Sequence, residues 1–143
     1  MNKKRVVFAR IVSAVAMFAL DGLYHGVCLA GRYRILAQQG RILSAPAIPY
    51  MTIAPVLSLI AGLLLAWFYA SVRPRLGAGP RTAIKLGLAV AILAAWIPDT
   101  AAAAWDLAGK RIALYWAVMD TIKYVVGSLL AGWLYQEKAP VTT

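Results

Sequence analysis

Apolar residues fall into four long runs separated by short polar stretches, and this pattern organises the rest of the chain. A helix rises about 1.5 Å per residue, so about 20 residues cross the roughly 30 Å hydrocarbon core of a bilayer. Runs at about 6–30, 50–72, 84–105 and 112–135 meet that length. They predict an all-α integral membrane four-helix bundle with antiparallel up-down topology, one transmembrane domain over residues 1–143. The first run begins after Met1-Asn2-Lys3-Lys4-Arg5 and passes Cys28-Leu29-Ala30, a sequence with some likeness to a cleaved signal. Arg10, Asp21 and His25 interrupt that likeness, so the span is expected to be retained.

The connections are basic and rich in helix breakers. Residues 31–49 hold Arg32, Arg34 and Arg41, with Pro46 and Pro49 opposing any continuing helix. Residues 71–82 form a Pro/Gly turn carrying Arg73, Arg75 and Arg81, and Asp106 to Arg111 is a short loop that makes the last two spans neighbours. Lys3, Lys4, Arg5, Arg10, Arg73, Arg75, Arg81, Lys85 and Lys138 lie on one side of the spans. Arg32, Arg34, Arg41, Lys110 and Arg111 lie on the other, so both termini are expected in the cytoplasm.

Composition agrees. The chain is 62% apolar and 14% charged, with a mean hydropathy of +0.72, against about 45–50% apolar in a soluble domain. A net charge of +10 would point to nucleic acid in a soluble protein, but most of the basic residues flank apolar runs, where lipid phosphates lie. Nucleic acid is therefore not expected as a partner. Cys28 stands alone, which leaves no intramolecular disulfide and no cysteine metal motif.

In lipid, helices associate by close packing of small residues. The second span repeats Ala54, Ser58, Gly62, Ala66 and Ala70 every four residues, and the fourth has Gly127 with Ala131 and Ser128 with Gly132. Besides the lipid bilayer, a second copy or a larger membrane complex is the expected partner, seated on the small-residue face of the second span. Tyr50, Trp67, Tyr69, Trp105, Tyr115, Trp116, Trp133 and Tyr135 gather near span ends and read as headgroup anchors.

Candidate chemistry lies in the acids. Asp21, Asp99 and Asp120 fall inside apolar runs, where an ionisable residue costs about 2.5–3.5 kcal/mol even on the lenient insertion scale. Each lies about 9–13 Å below the outer end of its span by the helical rise. On the first span Ala9, Ser13, Met17, Asp21 and His25 share a stripe, as do Ile92, Trp96, Asp99, Ala103 and Asp106 on the third. On the fourth, Asp120 aligns with Lys123, Tyr124, Gly127 and Ala131, and Asp120 and Lys123 are spaced to pair. Pro98 frees the carbonyl of Ala94 beside Asp99.

The expected ligand- or ion-binding set is therefore Asp21, His25, Asp99, Asp120, Lys123, Tyr124 and Trp96, around an outward-opening polar cavity. It would bind or move a cation, a proton or a small polar ligand. The alternative is a non-catalytic accessory or scaffold subunit whose charges pair with each other or with a larger partner. No catalytic set, phosphate loop or metal-ligand spacing is present in the sequence, so the reading leans against an enzyme and names no cofactor or resident metal.

Asp21, Tyr33, Asp99 and Asp120 give the chain a further likeness. It resembles bacterial four-span membrane proteins classed as domains of unknown function, with an Asp in span one before a Tyr near its outer end and Asp residues in spans three and four. The resemblance implies a multi-pass protein of a bacterial inner membrane and carries no activity with it. Lys123 stands where those proteins have a glycine soon after the last Asp.

Overall fold

The computed structural model describes residues 3–45 and 47–135. Pro46, Glu137 and Lys138 lie outside the described residues, as do the side chains of Lys3, Lys4 and Arg5. Every element among the described residues is helical: α1 (Lys3–Leu23), α2 (Ala30–Gln38), α3 (Ile48–Leu76), α4 (Pro80–Ala91), α5 (Ile97–Trp105) and α6 (Lys110–Leu134). Wide π-helical turns at Tyr24–Cys28 and Ile92–Trp96 join α1 to α2 and α4 to α5. Among the described residues, four stretches are long and apolar enough to cross a membrane: Val7–Cys28, Ile48–Leu76, Pro80–Trp105 and Lys110–Leu134.

Local chemistry sets the ends. Proline lies in the first turn of both α3 and α4, where its missing N–H has no partner to lose. α3 stops at Gly77, whose φ of 84° suits only glycine without strain. Pro98 follows the Ile92–Trp96 turn, which absorbs the carbonyl that a proline ring would otherwise strike.

Two connections differ from the sequence reading. Residues 31–49 were expected as a linker, yet α2 runs on to Gln38. Leu29 is buried with Ala108 and Ile112, and Tyr33, Leu36 and Ile42 pack beside them, so apolar contacts hold the segment onto the start of α6. The second span is also longer than expected at both ends, with Pro55 and Pro74 inside it.

Small side chains fill the interior. Ala9, Ala14, Ala66, Ala70, Ala83, Ala91, Ala95, Ala113, Ala117 and Ala131 are buried, with Ser13 and Ser128 among them. Large apolar side chains such as Phe8, Ile11, Leu57, Leu64, Phe68, Leu93 and Leu114 point outward. The backbones consequently come very close. A Cβ on Gly62 would collide with the Ala14 backbone, and one on Gly87 would lie 2.7 Å from the Cα of Val125. Gly127 is closed over by Met17 and Leu65, and Ser13 donates to the Gly127 carbonyl at 3.0 Å.

The small-residue face of α3 expected to seat a partner is closed within the chain from Gly62 to Ala70, while Ala54 at its start is exposed. Gly62, Ala66 and Ala70 are buried within the chain, because α1 needs a surface without side chains to reach this distance. Tyr69 is likewise no headgroup anchor. It is fully buried, and its hydroxyl accepts from the Gly79 amide at 3.1 Å, holding the turn between α3 and α4. Trp105 and Trp133 do lie exposed at span ends.

Candidate functional site

The polar cluster is built where α1, α3 and α6 meet. The stripe expected on α1 holds as far as Asp21: Ala9, Ser13 and Met17 are buried, so Asp21, four residues on, is carried to the same interface. On α6, Lys123, Tyr124, Gly127 and Ala131 are buried as expected. Lys123 donates to Asp21 Oδ1 at 2.8 Å and to Asp120 Oδ1 at 2.7 Å. The second Asp21 oxygen accepts from Ser58 of α3 at 2.5 Å. The Lys123 ammonium also lies 5.1 Å from the centre of the Tyr124 ring, within cation–π range.

Lys123 therefore occupies the middle of the cluster. Its side chain is 10% exposed and those of Asp21 and Asp120 are 24% exposed. The expectation of carboxylates ringing an open cavity is corrected here: the amine fills the space between two of them by direct contact. Among the described residues, no group of three or more His, Cys, Asp or Glu is placed to hold a metal ion.

Asp99 is the exception. It lies within electrostatic reach of Asp120 and Lys123, but its Oδ2 is buried without a hydrogen-bond partner among the described residues. Three carboxylates thus share a neighbourhood with one ammonium.

His25 does not pair with Asp21. Its Nδ1 lies 2.6 Å from the Tyr33 hydroxyl, and the two rings stack with an interplanar angle of 4°. The physical reason is the wide turn over Tyr24–Cys28, which departs from the 3.6-residue period that the stripe assumed. Tyr33 also accepts from Trp116 Nε1 at 2.7 Å, so its own proton is free to point at His25. Burial pushes the Tyr33 phenol above its ordinary pKa. Tyr24 donates instead to the Tyr115 carbonyl at 2.9 Å.

Trp96 is corrected for the same reason. The Ile92–Trp96 turn lies in the expected stripe, and the residues buried on this helix are Thr82, Ala83, Gly87, Ala91 and Ala95 instead. Ile92 and Trp96 are exposed, and Trp96 Nε1 donates to Thr121 at 2.8 Å, beside Asp120 in sequence but outside its ion network. Asp106 is a turn former, accepting the Ala108 amide at 2.8 Å.

Ser58 and Trp116 are the contributors that sequence reasoning missed. Ser58 was seen only as a small residue, and Trp116 only as an anchor. A signal for Ser58 existed: it lies about 12 Å along the helix from Tyr50, close to the depth of Asp21. No protein-family model matches this chain, and no curated protein or solved structure matches it either.

Proposed function

We propose that the chain is a multi-pass membrane protein whose four helices cross the bilayer antiparallel, around a polar cluster that binds a proton or small cation at Asp99. The inverted packing supports insertion, with alanine and glycine inside and large aliphatic side chains outside, as lipid demands. Contact order supports the topology. Ser13 meets Gly127, Asp21 meets Lys123 and Tyr24 meets Tyr115, so α1 and α6 run in opposite directions. Ala14 against Gly62 and Asp21 against Ser58 say the same of α1 and α3. The excess of Lys and Arg on one side supports cytoplasmic termini, and the likeness carried by Asp21, Tyr33, Asp99 and Asp120 is what favours a bacterial inner membrane.

The observation that carries the ligand reading is the buried Asp99 oxygen that has no hydrogen-bond partner among the described residues, beside a network in which those residues supply more carboxylates than ammonium groups. A charge left without a partner in hydrocarbon is costly, and a proton or a monovalent cation removes that cost. The test is an infrared titration of the carboxyl groups in lipid. A protonatable carboxyl present in the wild type and in Asp106→Asn, and absent in Asp99→Asn, supports the reading; an unchanged band in Asp99→Asn sinks it.

A second reading has its own observation. Direct pairing of Asp21, Lys123 and Asp120 satisfies those residues without any ligand, as in an accessory or scaffold subunit. Purification in mild detergent separates the two, since an accessory subunit leaves the membrane with a stoichiometric partner.

A further inference from the structure

A second feature lies at the other end of the α1–α2 segment. Where α2 meets the turn before α6, the structure has a cleft of about 410 Å³ whose charged lining is Arg32, Arg41, Lys110 and Arg111. Four of the five basic residues on the expected outer side are gathered there; Arg34, on the same helix as Arg32, is not in the lining. Among the described residues no acid lines the cleft, and the nearby Asp106 accepts from the Ala108 amide.

Two of these cations are held in place. The Arg32 guanidinium lies 4.5 Å from the centre of the Tyr115 ring. Arg41 donates from Nε to the Leu107 carbonyl at 2.6 Å and from Nη2 to the Ala108 carbonyl at 3.3 Å. This sets the Arg41 guanidinium directly against Gly109, the residue that opens α6. α6 itself begins with Lys110 and Arg111, has no acid in its first turn and has no side-chain cap.

This charge arrangement runs against the helix. A helix N-terminus carries about half a positive charge and exposes unpaired amides, so it favours anions and disfavours cations. Three cations converge on that end of α6, a fourth is stacked close by, and none has an acidic partner among the described residues of the lining. The missing complement is an anion. Arginine forks, a lysine and free amides in one concave site match the oxygens of a phosphate group. The apolar walls, Ile35, Leu36 and Ile112, suit the carbon skeleton of a phosphodiester.

We propose that this cleft binds a phosphate group, presented either by an anionic phospholipid headgroup or as the free anion. The full chain, purified in neutral detergent, is titrated with phosphatidylglycerol, phosphatidylcholine and inorganic phosphate and read by native mass spectrometry. Phosphatidylglycerol is retained over phosphatidylcholine, or inorganic phosphate binds. Lys110→Gln with Arg111→Gln weakens that binding about 30-fold, at roughly a factor of five for each cation near a charged surface. Both residues are exposed, so the variant keeps its fold, and Arg32→Gln gives an independent loss. Arg34→Gln, outside the cleft, leaves binding intact. Displacement of the lipid by millimolar phosphate identifies the free anion as ligand, and resistance to it identifies the lipid. Equal retention of the two lipids without phosphate binding overturns the proposal. So does a loss in Arg34→Gln as large as in the double variant, which would mean diffuse charge attraction.

Discussion

Replacing Lys123 by methionine removes the cation that joins Asp21 to Asp120 and keeps most of its length. The nitrogen lies 2.8 Å and 2.7 Å from those carboxylates on a side chain that is 10% exposed. Removing one partner of a buried ion pair costs about 3–5 kcal/mol, chiefly because a charge is stranded. Asp21 and Asp120 retain some access, at 24% exposure each, which places the expected loss near the lower figure. About 3 kcal/mol corresponds to roughly a hundredfold shift toward the unfolded form. The assay is equilibrium unfolding in mixed micelles with increasing dodecyl sulfate. The decisive comparison is Lys123→Met with Asp21→Asn and Asp120→Asn added. It recovers most of the loss, since neither position 21 nor position 120 then holds a charge stranded by the missing ammonium. Lys123→Met at wild-type stability, or no recovery in the triple variant, refutes the account of the cluster as an ion network.

Other outcomes follow from the same geometry. Gly62→Val destabilises by about 1–3 kcal/mol or more, as overpacking against the Ala14 backbone requires, while Ala54→Val on the exposed part of α3 is near neutral; thermal unfolding in detergent compares them. Tyr33→Phe removes the hydroxyl between Trp116 and His25, costs about 1 kcal/mol, and moves the His25 ring nitrogen resonances in NMR. Because burial raises the Tyr33 phenol, its contribution to stability is complete below its unfolded pKa of about 10 and is lost as pH rises through the folded value. Wild type therefore loses stability above about pH 10 more steeply than Tyr33→Phe, a difference read by unfolding at several alkaline pH values. Trp96→Phe, on an exposed face, changes stability by less than about 1 kcal/mol in the same unfolding assay.

The four long helices were legible because hydrocarbon thickness fixes the length of an apolar run, and that constraint is local in sequence. The Asp120–Lys123 pair was legible for the same reason, since a spacing of three on one helix needs no knowledge of neighbours. His25 and Trp96 were misplaced because both lie in turns wider than the α-helical period; no residue type marks the first turn, and Pro98 marks a disturbance at the second without fixing which face Trp96 takes. Ser58 was recognised as a small residue but not as the partner of Asp21. That pairing depends on how α3 slides along α1, which is decided where Gly62 meets Ala14. The basic residues of the cleft were counted as a tally for orientation. Their convergence needed α2, which the prolines of the following connection had hidden.

The wide turn at Tyr24–Cys28 acts as a phase adjuster between two helices that must each satisfy a different neighbour. Upstream of it, α1 keeps Asp21 in contact with Lys123; downstream, Leu29 and Tyr33 settle against the beginning of α6. A regular helix advances about 100° per residue, so deleting one residue from this turn would swing the whole downstream segment by about that angle. The Tyr33–His25 contact and the Arg32 wall of the cleft would turn away together, while the ion network upstream would not be touched.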